Sequence, residues 1–403
     1  MAATIICSFV GFQIGSKASV PAPIFATRQR IPMVPLLGLV CTLILIVPMS
    51  TTYSGFNLSQ FGDALSDQGQ AYSDASTRIA EGTHSRSGIV AMQTLLSPLT
   101  LTALPFFAFE FFEARRYRLL FLLCAMSPIV WSVLVGRDQQ MGLAILLVTA
   151  AWLLSKARKG TGLSRRQLSI LMPLALISLV GFGARKLSRN PAAPICAPGS
   201  DICTVPHAFP SVWEATWVTV TSYASQGYEG LGRALNANWH FGGGFSHSPA
   251  LASLIDPALG TGSILRVPNQ LDALGWSETG YWSTALTALA SDFPWPLIPV
   301  VVGSMALILG ASWRAALRFG DWLSITVFGY TLVALVFIPQ NLQLALSGPT
   351  YIGYSLLVIL FVARGRKISL ASTSEGPKKL SSGRGVDRPS WQDEPSRVGA
   401  NTP

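Results

Sequence analysis

Eight apolar runs, separated by short polar segments, set the pattern of this chain: 33–50, 88–109, 119–136, 140–155, 168–184, 293–313, 322–338 and 345–363. A helix needs roughly 17–25 predominantly apolar residues to cross a bilayer, and fewer where flanking side chains snorkel. Each run is therefore read as a span, with 140–155 the shortest. A further run, TIICSFVG at 4–11, is too short to span by itself. It lacks the basic n-region and cleavage site of a signal peptide and is read as the stub of another span. The expected fold is all-α: a polytopic bundle of about 8–10 transmembrane helices.

The polar segments divide the chain further. Residues 1–184 form an N-terminal set of spans with an outer loop at about 51–87. Residues 185–292 form one long loop, and 293–363 a C-terminal set of spans. The tail, 364–403, is rich in Ser, Gly, Pro and Lys and reads as disordered. Within the long loop, VWEATWVTVTSYASQGYEGLGRAL runs for two dozen residues without a strong breaker. Trp213, Trp217, Val220, Ala224 and Tyr228 recur in it at helical spacing. This predicts an amphipathic helix on the membrane surface or capping the bundle, with its aromatic rings at headgroup level. The glycines at 242–244 break that helix, and GYWSTALTALASDFPW at 280–295 is expected to return as a helix entering the next span.

Composition agrees: 50% of the residues are hydrophobic and 12% charged, against about 25% charged in ordinary soluble proteins. The formal net charge of +10 would raise nucleic acid as a partner in a soluble chain. Here the basic residues sort by loop. Arg28, Arg30, Arg115, Arg116, Arg118, Lys156, Arg158, Lys159, Arg165, Arg166, Arg314, Arg318, Arg364, Arg366 and Lys367 occupy alternate loops, in which only Glu113 and Asp321 are acidic. The intervening loops hold Arg78, Arg86, Arg137, Arg185, Lys186, Arg189, Arg233 and Arg266 among more numerous carboxylates. The positive-inside rule assigns the first set to the cytoplasm and the long loop to the outside. The basic pI then needs no nucleic acid.

Five cysteines add little chemistry. Cys7, Cys41 and Cys124 lie in apolar runs and read as small hydrophobes. Cys196 and Cys203, in ICAPGSDIC, make a plausible local disulfide in an oxidising compartment. No CxxC pair or His/Cys ligand cluster points to a metal, and no Gly-rich phosphate loop points to a nucleotide. No cofactor is expected.

Two constellations carry candidate chemistry. Gln226, Tyr228, Asn236, Asn238, His240 and His247 fall close together in the long loop, with Trp239 and Arg233 among them. Aromatic faces stack on sugar C–H groups, and amides pair with hydroxyls. The same residues also fit a structural lid, with rings as interface anchors and glycines as a turn. The second constellation is cationic. Arg137 lies in the short turn VGRDQQ between two spans, where it meets a phosphate in fork geometry or pairs with Asp138. Arg185, Lys186 and Arg189 stand where the 168–184 span emerges, as phosphate ligands or as headgroup anchors.

The order SYASQGYEGL, then GGGFSHS, then WSTALTALASDF before a late span resembles the O-antigen polymerase family and its oligosaccharide repeat-unit polymerase relatives. The matching positions are Tyr223, Gln226, Gly227, Tyr228, Gly230 and Leu231, then His247 and Ser248, then Ala290, Ser291, Asp292 and Phe293, with Gly136 and Arg137 resembling a Gly-x-Arg step. The similarity covers roughly 88–363. Glu229 and Arg233 fall on positions where the family varies.

The resemblance implies transfer of a glycan from one undecaprenyl diphosphate onto a repeat unit carried by another. The reaction takes place on the outer face of the bacterial cytoplasmic membrane, without metal, and builds O-antigen, capsule or exopolysaccharide. Lipid-linked oligosaccharides, membrane lipid and a chain-length regulator are its implied partners. Such chemistry needs a cation for the leaving diphosphate, a base for the acceptor hydroxyl, and a groove that aligns two sugars. Arg137, supported by Arg185 or Arg189, is the candidate cation. His247 or His240 is the candidate base, with Asp292 the carboxylate alternative. Tyr223, Gln226, Tyr228, Trp239 and Trp282 are candidates for the groove. The alternatives are an O-antigen ligase and a polyprenyl-phosphate-sugar glycosyltransferase using Asp63, Asp67 or Asp74. A transporter of lipid-linked sugars fits less well, because few charges lie deep in any span. A membrane scaffold is the reading the lid supports.

Overall fold

A computed structural model describes residues 1–18, 32–54, 88–135, 139–162, part of 164–183, 195–196, 203–204, 211–252, 255, 266–274, 276 and 283–374. These residues are helical almost throughout: α1 (Ala2–Lys17), α2 (Met33–Ser54), α3 (Gly88–Ala114), α4 (Arg118–Val135), α5 (Gln139–Arg158), α6 (Val212–Ala234), α7 (Val267–Gln270), α8 (Ala285–Leu289), α9 (Ile298–Phe319), α10 (Trp322–Val336) and α11 (Gly348–Ser374). The described residues between 165 and 183 are helical too. Among the described residues, three helical segments are long and apolar enough to cross a membrane: Gly88–Ala114, Gln139–Arg158 and Trp295–Phe319. Shorter apolar helices cover Met33–Met49, Arg118–Val133, Trp322–Val336 and Gly348–Arg364.

α3 is the central helix, packing against α2, α5, α10 and α11. Its Phe107 and Phe109 are fully buried beside Leu154 of α5 and Ile325 of α10. α3 tolerates Pro98 and Pro105 in its interior. Pro98 supplies no N–H to the Thr94 carbonyl, and the Ser97 hydroxyl donates to that oxygen instead, at 2.7 Å. α10 is buried on nearly every side, as an all-round apolar helix inside a bundle should be. The bundle's outer surface reverses the soluble pattern: Leu95 is 78% exposed, Leu119 68% and Ile44 66%. A surface of that kind suits lipid.

The run at 4–11 extends further than its apolar residues. It belongs to a sixteen-residue helix that lies along α9 in parallel. Gly11 and Gly15 permit the approach: a Cβ added at either would fall 2.1 Å from the carbonyl oxygen of Gly303 or Leu307. Small residues spaced by four make close helix contacts of this type in membranes. Arg314 completes the contact by donating to the Ser16 carbonyl at 3.2 Å.

One end of the bundle gathers basic residues. Arg158 crowds Gly320, whose positive φ of 65° ends α9. Lys159 donates to the Phe112 carbonyl, and Arg364 holds the Asp321 carboxylate at 2.8 Å. The opposite end carries α6, α7, α8 and the 337–347 connection.

The structure amends the expected pattern in three places. α11 continues through Ser374, into the segment read as tail; the chain beyond it lies outside the described residues. The 280–295 stretch is not one helix. α8 is five residues long, and a turn at 290–294 separates it from a short 3-10 segment before α9. The all-α expectation has one exception, a two-residue antiparallel ladder that pairs Ile195 with Thr204 and Cys196 with Cys203. The two cysteine backbones face each other across it, while their side chains lie outside the described residues. α6 forms as expected, and the face it turns to the protein is one of small residues. Ala215, Thr216, Val220, Gly227, Gly230 and Ala234 turn inward, and Trp213, Trp217 and Tyr228 are exposed.

Candidate active site

α6 starts at a serine N-cap. The Ser211 hydroxyl accepts the Glu214 N–H at 3.1 Å, in a Ser-x-x-Glu sequence. Gly227 and Gly230 then let the helix dock. A Cβ at Gly227 would fall 2.2 Å from the Pro339 carbonyl oxygen, and one at Gly230 2.7 Å from the Trp276 indole nitrogen. The glycine spacing in QGYEGL is thus a packing requirement. Arg233 is likewise structural: it bonds Glu229 at 3.0 Å and the Leu274 carbonyl at 2.7 Å, and it covers the Trp276 ring.

The loop after α6 is anchored by three consecutive residues, Ala290, Ser291 and Asp292. The Ala290 carbonyl accepts the Trp239 indole N–H at 2.7 Å. The Ser291 carbonyl accepts the Gly242 N–H at 2.8 Å, and its hydroxyl accepts the Val267 N–H at 3.1 Å. The Asp292 carboxylate accepts the N–H of Gly244 at 2.9 Å and that of His247 at 2.8 Å. Gly243 and Gly244 take φ of 84° and 87°, a region open mainly to glycine, and the turn they make brings the Gly244 amide to the carboxylate. Gly242 has no room for a side chain, because a Cβ would fall 2.4 Å from the Ser246 Cβ. Buried Arg266 supports the loop from beneath, donating to the Ser246 carbonyl at 3.0 Å. The Ser248 hydroxyl ties it to the Ala345 carbonyl at 2.8 Å.

This framework buries His247 against Asp292, with Nδ1 2.5 Å from Oδ2. On the other side of the ring, Nε2 meets the Tyr351 hydroxyl from the first turn of α11. The two rings meet edge to face, with centroids 5.3 Å apart. A carboxylate only accepts, so Nδ1 carries the hydrogen and Nε2 of the neutral ring is the acceptor. Burial pushes the Asp292 carboxyl upward, but the bonds from the His247 ring and backbone, the His247 charge and the Gly244 N–H outweigh it. The net position is below the ordinary aspartate value. Asp292 is therefore an anionic partner that orients His247, and a poor base in its own right.

The sequence candidates thus separate. His247 and Asp292 come together. His240 is exposed and lies apart from these bonds. Trp239 is half-exposed above Ala290, and Gln226 and Tyr228 lie on α6. The side chain of Tyr223, and Arg137, Arg185, Arg189 and Trp282 altogether, lie outside the described residues. Sequence reasoning missed Tyr351. A tyrosine in GPTYIGY at the start of a span reads as an interfacial belt residue. It also missed the 337–347 connection, which contributes Pro339 against α6 and buried Asn341. The Asn341 Oδ1 has no hydrogen-bond partner.

Inside the bundle, a cavity of about 170 Å³ lies among α2, α3, α4, α5 and α10. Leu39, Leu101, Leu143 and Trp131 are among its largely apolar lining, and Pro349 and Thr350, next to Tyr351, close one side. Among the described residues, no group of three or more His, Cys, Asp or Glu side chains is placed to hold a metal ion. No protein family, curated protein or solved structure matches the chain.

Proposed function

We propose that this chain is a metal-independent membrane glycosyltransferase that polymerises polyprenyl-diphosphate-linked repeat units into a surface polysaccharide. The observation that carries the reading is the buried Asp292–His247 pair. It is held at the end of the bundle opposite the basic loops by the residues that carry the polymerase resemblance. A histidine with its tautomer fixed by a carboxylate is an organised general base.

In this reading the four shorter apolar helices cross the membrane too, and with the 168–184 run and α1 they bring the number of spans into the expected range of eight to ten. The basic end faces the cytoplasm, and the His247 loop faces outward, in a bacterial cytoplasmic membrane. His247 takes the proton of the acceptor hydroxyl as that oxygen attacks the donor's anomeric carbon and the diphosphate leaves. Arg137 stabilises the leaving diphosphate, a role that stands on its place in the sequence between α4 and α5. The apolar cavity beside the first turn of α11 supports a substrate with a hydrocarbon chain. Exposed Trp239 and Tyr228 suit sugar rings.

Deleting the gene in its host tests the reading, with surface glycan and lipid-linked intermediates resolved by size. A polymerase leaves glycan capped at one repeat unit. Complete loss of surface glycan with long lipid-linked chains accumulating identifies a ligase instead. Arg137→Ala should reproduce the deletion at unchanged protein level, and an unaltered ladder removes Arg137 from the mechanism.

A further inference from the structure

The His247 ring presents no free nitrogen to a substrate. Nδ1 is taken by Asp292 and Nε2 by the Tyr351 hydroxyl. The exposure of the three groups is graded. The Asp292 side chain is 1% exposed and that of His247 10%, while Tyr351 is only partly buried. The phenol is therefore the outermost member of a hydrogen-bonded line that leads from a buried carboxylate toward the surface. We infer that Tyr351 is the group that touches the acceptor hydroxyl, and that it relays the proton to His247. This inference rests on the proposed glycosyl transfer and names a catalytic residue for it.

Because Nε2 of the neutral ring is an acceptor, the Tyr351 hydroxyl is the donor in the resting site. Its oxygen keeps lone pairs for a second donor. The Ser355 side chain, one turn along α11, approaches the same oxygen. An acceptor sugar hydroxyl takes that place during reaction. Its O–H bond breaks as its oxygen forms the new bond to the anomeric carbon. The proton passes to the Tyr351 oxygen, and the Tyr351 proton passes to Nε2. The bond from the anomeric carbon to the diphosphate breaks, and the diphosphate leaves with the electron pair. The site ends with a neutral tyrosine and an imidazolium paired with the Asp292 carboxylate. Two protons move, and no charge is left on the phenol.

The groups that face this line come from three elements. Asp292 lies before α9. Tyr354 of α11 stands behind Tyr351 and bonds Thr331 of α10 at 2.9 Å. Arg266 is spent on the Ser246 carbonyl and on Asn269, at 3.0 and 3.3 Å. The T-shaped contact of the His247 and Tyr351 rings survives loss of the hydroxyl alone, so Tyr351→Phe tests the relay without emptying the site.

The experiment uses full-length protein in vesicles with lipid-linked repeat units as substrate. It compares wild type, Tyr351→Phe and His247→Ala. Tyr351→Phe should lower kcat by about 10²–10⁴-fold, the range for a lost acid–base group, with KM little changed. The wild-type rate should fall non-linearly with deuterium fraction in the solvent, as two protons in flight require. Residual Tyr351→Phe activity should fall linearly. Activity of Tyr351→Phe within about threefold of wild type, or a linear wild-type response, overturns the relay. If Tyr351→Phe proves unstable, 3,5-difluorotyrosine at 351 keeps the hydroxyl and changes its acidity; an unchanged rate then overturns the relay. The two failures are distinguishable. Loss of activity in His247→Ala with Tyr351→Phe unaffected removes the relay alone, whereas full activity in His247→Ala removes the proposed function with it.

Discussion

Asp292→Asn separates the two duties of this carboxylate. Three donors converge on its two oxygens: the Gly244 N–H on Oδ1, and the His247 N–H and ring Nδ1–H on Oδ2. An asparagine has one accepting oxygen. If that oxygen faces His247, the ring keeps its tautomer and the amide NH₂ confronts the Gly244 N–H. The opposite orientation orphans two donors, so the first is favoured. An orphaned buried N–H costs about 1–3 kcal/mol of stability. The negative charge is lost as well, and an opposite charge in direct contact stabilises an ionised side chain by on the order of 1.4–4 kcal/mol. The imidazolium formed in the transition state loses that support, which corresponds to a fall in kcat of about 10–10³-fold. The assay is turnover of lipid-linked repeat units by purified protein, alongside thermal unfolding of the same samples. A variant that is destabilised yet turns over at the wild-type rate would refute the charge support and leave Asp292 only to orient the ring and anchor the loop.

The pH dependence of the same bond has a fixed sign. The folded Asp292 carboxyl lies below its ordinary value of 3.8, so its stabilisation is complete above about pH 4 and disappears as pH falls through the lower folded value. The unfolding-midpoint difference between wild type and Asp292→Asn should be flat from about pH 5 to 8 and shrink below about pH 4; a difference that grows on acidification contradicts the assignment. Gly227→Ala should destabilise by about 1–3 kcal/mol, because the new Cβ overpacks against the Pro339 carbonyl. Gly232→Ala, with nothing near its Cβ, should be neutral or stabilising by up to about 1 kcal/mol in matched unfolding measurements. Gly11→Leu should detach α1 from α9 and raise protease cleavage between them, while Ile6→Leu, on an exposed face, should not.

Hydropathy made most of the helices legible, because long apolar runs have few other uses. It was weakest where tertiary contact decides. The 4–11 run gave no sign of its seat on α9, because that contact depends on Gly11 and Gly15. The tryptophans of α6 were grouped with Val220 by spacing, yet the helix turns on Gly227, Gly230 and small residues, which carry no hydropathy signal. His247 and Asp292 were both legible as chemistry but not as a pair, since forty-five residues separate them and only the loop's amides bring them together. Tyr351 was illegible for a related reason: its partner lies more than a hundred residues away, and its local sequence describes a span end.

The most direct test of the central claim is reconstitution. Full-length protein in vesicles is given polyprenyl-diphosphate-linked repeat units, with neither metal nor nucleotide added. A ladder of lipid-linked products spaced by one repeat unit is predicted, with one polyprenyl diphosphate released per new linkage and no ladder from His247→Ala. Unextended single units from the wild-type protein, or an equal ladder from His247→Ala, would contradict the account.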